Sequence, residues 1–241
     1  MMGKLSFLRN KGQTGEEWMS VSDLMAGLMM VFLFISIIYA KDALNRNQNI
    51  STIVTEWQNA ELKIYQALYD EFADDLPKWN AMIDKENLTI RFFAPDILFE
   101  SGSHTIKPQF ESILADFIPR YVRLLADNFS QQIAEIRIEG HTSSEWNWRV
   151  DENTAFIHNM ELSQARTRSV LEYSMRLFAN PDYLSWIRKT MSANGLSSAH
   201  PILVNGMEDR KKSRRVDFAI RTRTKEILFN VFETIYGGNR L

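Results

Sequence analysis

The chain has 241 residues, 45% of them hydrophobic and 24% charged, with 10 Gly and 6 Pro, which excludes a disordered, collagen-like or low-complexity protein. Lys and Arg number 28 against 30 Asp and Glu, a net charge of −2, so no global basic field argues for nucleic acid. The absence of cysteine removes disulfides, thiolate nucleophiles, iron–sulfur clusters and Cys-based zinc sites, and suits cytosol and periplasm equally.

The mean hydropathy of −0.26 conceals an uneven distribution. After a polar leader, residues 1–20, the stretch Val21–Ala40 reads VSDLMAGLMMVFLFISIIYA, with Asp23 its only charged side chain. At ~1.5 Å per residue this length covers roughly the 30 Å hydrocarbon core of a bilayer, so 21–40 reads as one transmembrane helix. A cleavable signal peptide fits less well. The leader carries Glu16 and Glu17, the apolar run exceeds the usual core of about 7–15 residues, and Ile38 stands where a small residue is wanted. Lys4, Arg9 and Lys11 outnumber Lys41 and Arg46 beyond the span, which places the N-terminus in the cytoplasm and the C-terminal domain in the periplasm.

Asp23 calls for an account, because a carboxylate in a span costs about 2.5–3.5 kcal/mol on insertion scales. Either it caps the helix, as Ser20 and Ser22 could also do, or it is functional. Asp23, Gly27, Met30 and Phe34 share one helix face, with Ala26 beside Gly27 forming a small-residue patch where another helix can approach. A carboxylate in that setting can be protonated and deprotonated as it alternates between two accesses.

Residues 41–88 form a juxtamembrane linker. Ile50, Val54, Trp57, Leu62, Tyr65, Leu68, Tyr69, Phe72 and Leu76 recur at three- and four-residue steps, predicting a helix ended by Pro77. That helix either packs on the following domain or acts as a pairing or plugging element.

The domain, 89–224, opens with a strand around Asn87–Phe93. An apolar helical stripe follows, from Phe110 to Leu125, and then a strand through Ile133, Ile136 and Ile138 into Gly140. A second helix is predicted from Glu161 to Phe178, a short strand at Pro201–Val204 and a final alternating strand at Arg215–Ile220. The order β-α-β-α-β-β predicts an α+β domain with helices on one face of a small mixed sheet. Ile227, Leu228, Val231, Phe232 and Ile235 then mark an amphipathic helix, 225–241.

Arg166 lies in line with Leu162, Val170, Tyr173 and Leu177 on the second helix. It is either a snorkelling or ion-paired arginine or a fork offered to a ligand carboxylate. The turn Gly140-His141-Thr142-Ser143 is a simple loop or the wall of a polar pocket.

Two families share these residues. The run Val21–Ile37, SDLMAGLMMVFLFISI in its main part, resembles the single transmembrane helix of MotB-type stator subunits, and the resemblance implies that Asp23 is the ion-carrying carboxylate, for H+ or Na+. The segment Asn159, Leu162, Ser163, Arg166, Thr167, Val170 resembles the helix motif N-x2-L-S-x2-R-[AT]-x2-V of OmpA-like peptidoglycan-binding domains. Phe99 to Gly102 is similar to that family's F-x-x-G, Gly140-His141-Thr142 to its G-H-T-D turn, and Ser213 to Asp217 to its N-R-R-V-E ending. The resemblance covers roughly residues 89–222. It implies that Arg166 holds a carboxylate of the peptidoglycan stem, with Asn159, Leu162, Thr142 and Ser143 shaping the pocket. Ser143 replaces the family's aspartate, for which Ser144, Glu145 or Asp151 could substitute, and the following loop is longer and contains Trp146 and Trp148.

The short linker, the leader from Gly15 to Asp23 and the Trp-containing loop resemble ZorB-type subunits of Zorya anti-phage systems. This implies a non-enzymatic, wall-anchored inner-membrane stator: a homodimer working with a multi-helix MotA/ZorA-like subunit. A flagellar stator and a passive membrane-to-wall tether are the alternatives. The four histidines lack metal-site spacing, and no phosphate-binding glycine fingerprint occurs. The basic run Arg210–Arg215 reads as domain motif plus solvated loop.

Overall fold

A computed structural model describes residues 13–93, 98–146, 150–223 and 229. Apart from Phe229, the amphipathic helix expected at 225–241 lies outside the described residues, as do Trp148 and the leader's Lys4, Arg9 and Lys11. The chain divides into two units, Met1–Thr55 and Glu56–Leu241.

In the first unit, helix α1 (Gln13–Phe72) contains the stretch Val21–Leu44, long and apolar enough to cross a membrane, with every side chain in it exposed. Because α1 begins at Gln13, Asp23 lies well inside the helix and is not its N-cap. A Cβ added at Gly27 would meet open space, so that face can accept close approach.

The second unit includes the end of α1. Ile64, Leu68 and Phe72 are fully buried at i, i+4 steps in the core cluster. The helix stops at Phe72, ahead of Pro77, and turns carry the chain from Ala73 to Asn80. Arg120 fastens this end, donating from Nε to Glu71 Oε1 at 2.6 Å, from NH1 to Asp75 Oδ2 at 2.9 Å and from NH2 to the Glu71 carbonyl at 2.6 Å. It thereby satisfies one of the carbonyls that a helix C-terminus leaves open.

The remaining elements are β1 (Ala81–Asp84), β2 (Thr89–Phe92), α2 (Pro108–Phe129), β3 (Ile133–His141), α3 (Glu152–Arg176), α4 (Pro181–Thr190), β4 (Met191–Gly195), β5 (Leu203–Val204), β6 (Met207–Glu208), α5 (Arg210–Ser213) and β7 (Arg215–Thr222). The main sheet runs β1-β2-β7-β3-β4, antiparallel except for β3 and β4. The α+β class and mixed sheet match the expectation; β1, α4 and β4 add to it. Pro201–Val204 contributes only Leu203 and Val204, which pair in a separate hairpin with β6.

Helix α2 forms as the stripe predicts. Pro108 starts it, and Phe110, Leu114, Phe117, Ile118, Tyr121, Val122 and Leu125 are all buried. Phe117 sits 5.1 Å from the rings of both Phe92 and Phe218, which ties α2 to β2 and β7. Strand β7 departs from simple alternation: Arg215 to Ile220 are all buried. Asp217 is therefore an interior charge, not the solvent-facing partner of Phe218.

Helix α3 begins at Glu152, nine residues before the predicted start. Asp151 caps it, accepting from the Asn153 and Thr154 amides at 3.0 and 3.1 Å. Its buried positions are Ala155, Asn159, Ser163, Thr167, Val170 and Ser174, all small or polar except Val170, so an apolar period reveals little of this face. They let the helix lie directly on the sheet's glycines. A Cβ at Gly140 would come 2.8 Å from the Ser163 carbonyl oxygen. One at Gly195 would strike the Gln164 amide nitrogen and come 2.7 Å from its Cα. Gln164 also occupies the backbone of β4, accepting from Gly195 N at 2.7 Å and donating to Ala193 O at 3.1 Å. Gly195→Ala is expected to cost about 1–3 kcal/mol by forcing α3 off the sheet, read as a lower denaturant midpoint. A change below about 0.5 kcal/mol, the size of an ordinary surface substitution, would refute the close-packing account.

Candidate ligand cleft

Strand β3 delivers Gly140 and His141 to the edge of a cleft, and the chain continues along its wall as Thr142 and Ser143. The Thr142 amide donates to Ser197 O at 2.9 Å, fixing the turn. Helix α3 supplies Asn159, Leu162 and Arg166 from successive turns. The five residues picked from sequence thus line one cleft of about 450 Å³. Its remaining wall comes from Phe99 to Gly102, Glu145, Trp146 and Arg214.

These side chains differ in role. Asn159 is 2% exposed, and its Nδ2 donates to the carbonyls of Ser143 at 3.2 Å and Glu145 at 3.4 Å. It holds the loop in shape. Thr142 Oγ1 is buried without a hydrogen-bond partner, an orphaned hydroxyl of the kind a ligand can satisfy.

Arg166 is held from behind. Its Nε donates to Ser103 O at 2.9 Å, NH2 to Glu100 O at 3.4 Å, and the guanidinium lies 4.9 Å over the Phe99 ring. Arg214 faces the same cleft with its Nε buried and unpartnered. Among the described residues neither arginine has a carboxylate at ion-pair distance. Burial, followed by the charge of Arg214, brings Arg166 down to about 10, still cationic at neutral pH. Two guanidiniums with no ion-pair partner among the described residues share one recess with Glu100 and Glu145, an arrangement that can receive a carboxylate.

Sequence reasoning missed Arg214 as a wall residue, having assigned it to the ending motif. The available signal was its adjacency to Arg215. The Arg215 side chain enters a buried network, donating from Nε to Asp217 Oδ2 at 3.1 Å, while Arg214 lines the cleft. Arg91 Nε reaches the same oxygen at 3.1 Å and pairs with Asp84 Oδ2 at 2.9 Å.

The candidate substitutes for the missing aspartate are also placed. Ser144 bonds Glu208 through N at 3.0 Å and Oγ at 2.5 Å. Asp151 is spent on the α3 cap. Glu145 lines the cleft, its carboxylate 3.3 Å from Arg210 NH1.

The histidines read as scattered in sequence do not all remain so. Ligand atoms of His141, Glu139 and Asp217 fall within 4.8 Å of one another, but the two guanidiniums on Asp217 oppose a further cation. Both His141 ring nitrogens lack hydrogen-bond partners; Nε2 is 3.6 Å from Asp217 and 3.9 Å from Glu139. Burial, then Arg215, His200 and Arg91, push His141 down to about 3. The unfolded chain takes up this proton near pH 6.5 and the folded one near 3, so between them stability falls as pH falls. Burial pushes Asp217 upward, which has the opposite sign. The comparison of His141→Gln with wild type isolates the histidine. The variant is expected to flatten the fall in melting temperature between pH 6.5 and 4.5; equal slopes would exclude His141 as its source.

The architecture and cleft define a class: an apolar helix of membrane-spanning length carrying an internal carboxylate, followed by an α+β domain with an arginine-lined cleft. No family model matches the chain. It is 48% identical over 216 residues to Zorya protein ZorB of Escherichia coli strain Crooks, covering 89% of this chain and 92% of that one. The chain belongs to the ZorB family of Zorya proteins. Similar solved structures include a MotB-like protein from Desulfovibrio vulgaris, 24% identical, TM-score 0.48, covering 69% of this chain and 94% of that one. Another is the cell wall anchor of the T6SS from Pseudomonas aeruginosa, 19% identical, TM-score 0.45, covering 64% and 96% respectively.

Proposed function

We propose that this chain is a peptidoglycan-anchored, stator-like subunit of an ion-driven inner-membrane motor in an anti-phage defence system. The observation that carries the anchor is the pair of guanidiniums, Arg166 and Arg214, facing one cleft with no carboxylate at ion-pair distance among the described residues. In this reading they receive a carboxylate of the peptidoglycan stem, while Thr142, Ser143, Asn159 and Leu162 shape the recess. The domain is OmpA-like and stands in the periplasm, with the N-terminus in the cytoplasm.

Asp23 carries the coupling ion, a proton in the first instance and Na+ as the alternative. Its position inside α1, on a face with Gly27, supports a carrier over a cap. Each charge moved across the membrane yields about 2.3 kcal/mol per 100 mV, enough to bias helices of a partner between two states. One helix cannot enclose an ion path. The reading therefore requires a multi-helix MotA/ZorA-like subunit around a dimer of this one, acting without catalysis by this chain.

The direct test is co-sedimentation of the full chain, in detergent, with purified peptidoglycan sacculi. Retention on sacculi, competed by soluble diaminopimelate-containing tetrapeptide, is expected. A chain that stays in the supernatant would overturn the anchor.

A further inference from the structure

We propose that Trp146, backed by His158, is a saccharide platform at the cleft, receiving the pyranose ring of a wall sugar while the arginines hold the attached peptide. This deepens the wall-anchor reading and rests on it.

Trp146 is 39% exposed although it is a large apolar ring, and it lines the cleft that contains Arg166 and Arg214. One face is occupied: the indole stacks on the His158 imidazole with centroids 5.2 Å apart and planes 24° apart. The imidazole is itself positioned on α3, its Nδ1 3.7 Å from Glu161 Oε2. The loop leading into the indole is tied down at three successive residues. Asn159 holds its Ser143 and Glu145 carbonyls, Glu208 holds Ser144, and Arg210 holds the Glu145 carboxylate.

An aromatic ring fixed before the ligand arrives gives up little conformational entropy on binding. Its flat apolar surface matches the C–H face of a pyranose, whose hydroxyls project from the rim and remain solvated. The cleft volume of about 450 Å³ is in the range that accommodates a multi-ring ligand and exceeds what a carboxylate alone needs. Arg166 and Arg214 in the same recess disfavour a cation over the ring.

The test compares two soluble probes on the full chain in detergent: a diaminopimelate-containing tetrapeptide, and the same peptide carrying its N-acetylglucosamine–N-acetylmuramic acid disaccharide. Wild type is expected to bind the disaccharide form several-fold more tightly. Trp146→Ala should erase that preference while leaving the tetrapeptide Kd within about twofold, and Trp146→Phe should retain part of it. His158→Ala should weaken the preference in the same direction. Equal affinity of wild type for the two probes would overturn the platform and leave the anchor standing. Equal weakening of both probes by Trp146→Ala would overturn it by assigning the ring to the peptide. Binding of neither probe by wild type would overturn the anchor and the platform together.

Discussion

Arg166→Ala is expected to abolish retention of the full chain on peptidoglycan sacculi. Truncating one partner of a buried, hydrogen-bonded charge pair typically costs about 2–5 kcal/mol, which at 1.4 kcal/mol per tenfold is an affinity loss of at least about 30-fold. The fold should survive. The substitution removes hydrogen bonds to the Ser103 and Glu100 carbonyls, each worth about 1 kcal/mol net, and at the same time relieves the cost of burying a guanidinium in a cleft shared with Arg214. A melting temperature close to wild type should accompany the lost retention. Arg166→Lys keeps a charge but loses the fork and should bind only weakly. Unchanged retention of the alanine variant would remove the anchoring role from this residue.

Asp23→Asn is expected to eliminate phage protection, with plating efficiency returning to that of cells lacking the chain, at matched membrane levels and with swimming unaffected. Asn and Asp have nearly the same helix propensity, and Asp23 is not a cap because α1 already begins at Gln13. The change therefore removes the exchangeable charge while preserving the helix. Protection that persists in the variant would make Asp23 structural and favour the passive tether. Loss of swimming would favour the flagellar alternative.

Legibility in the sequence followed the size of the buried side chains. Helix α2 announced itself through Phe110, Phe117 and Tyr121, large residues at helical spacing. The first half of α3 was silent because its buried face is Ala155, Asn159 and Ser163, chosen by proximity to Gly140 and Gly195 instead of by hydrophobicity. Strand β4, Met-Ser-Ala-Asn-Gly, escaped for the same reason: it pairs in parallel with β3 and is covered by Gln164, with little apolar signal of its own. Arg166 was legible as a charge in an apolar column. Arg214 was not, because consecutive basic residues look alike in sequence: Arg215 opens β7 and enters the ion-pair network, whereas Arg214 ends the preceding helix and lines the cleft.

Strand β7 lies between β2 and β3, although about seventy residues of chain separate β3 from it. During synthesis β2 and β3 therefore wait with open hydrogen-bonding edges until residues 215–222 arrive, since nothing earlier joins them. Such long-range closure slows folding, and unpaired edges invite association with other chains. A nascent chain stalled before Arg215 would thus hold the β1-β2 and β3-β4 pairs with open edges competent for aggregation. The last strand of the sheet to be synthesised is the one that joins its two halves.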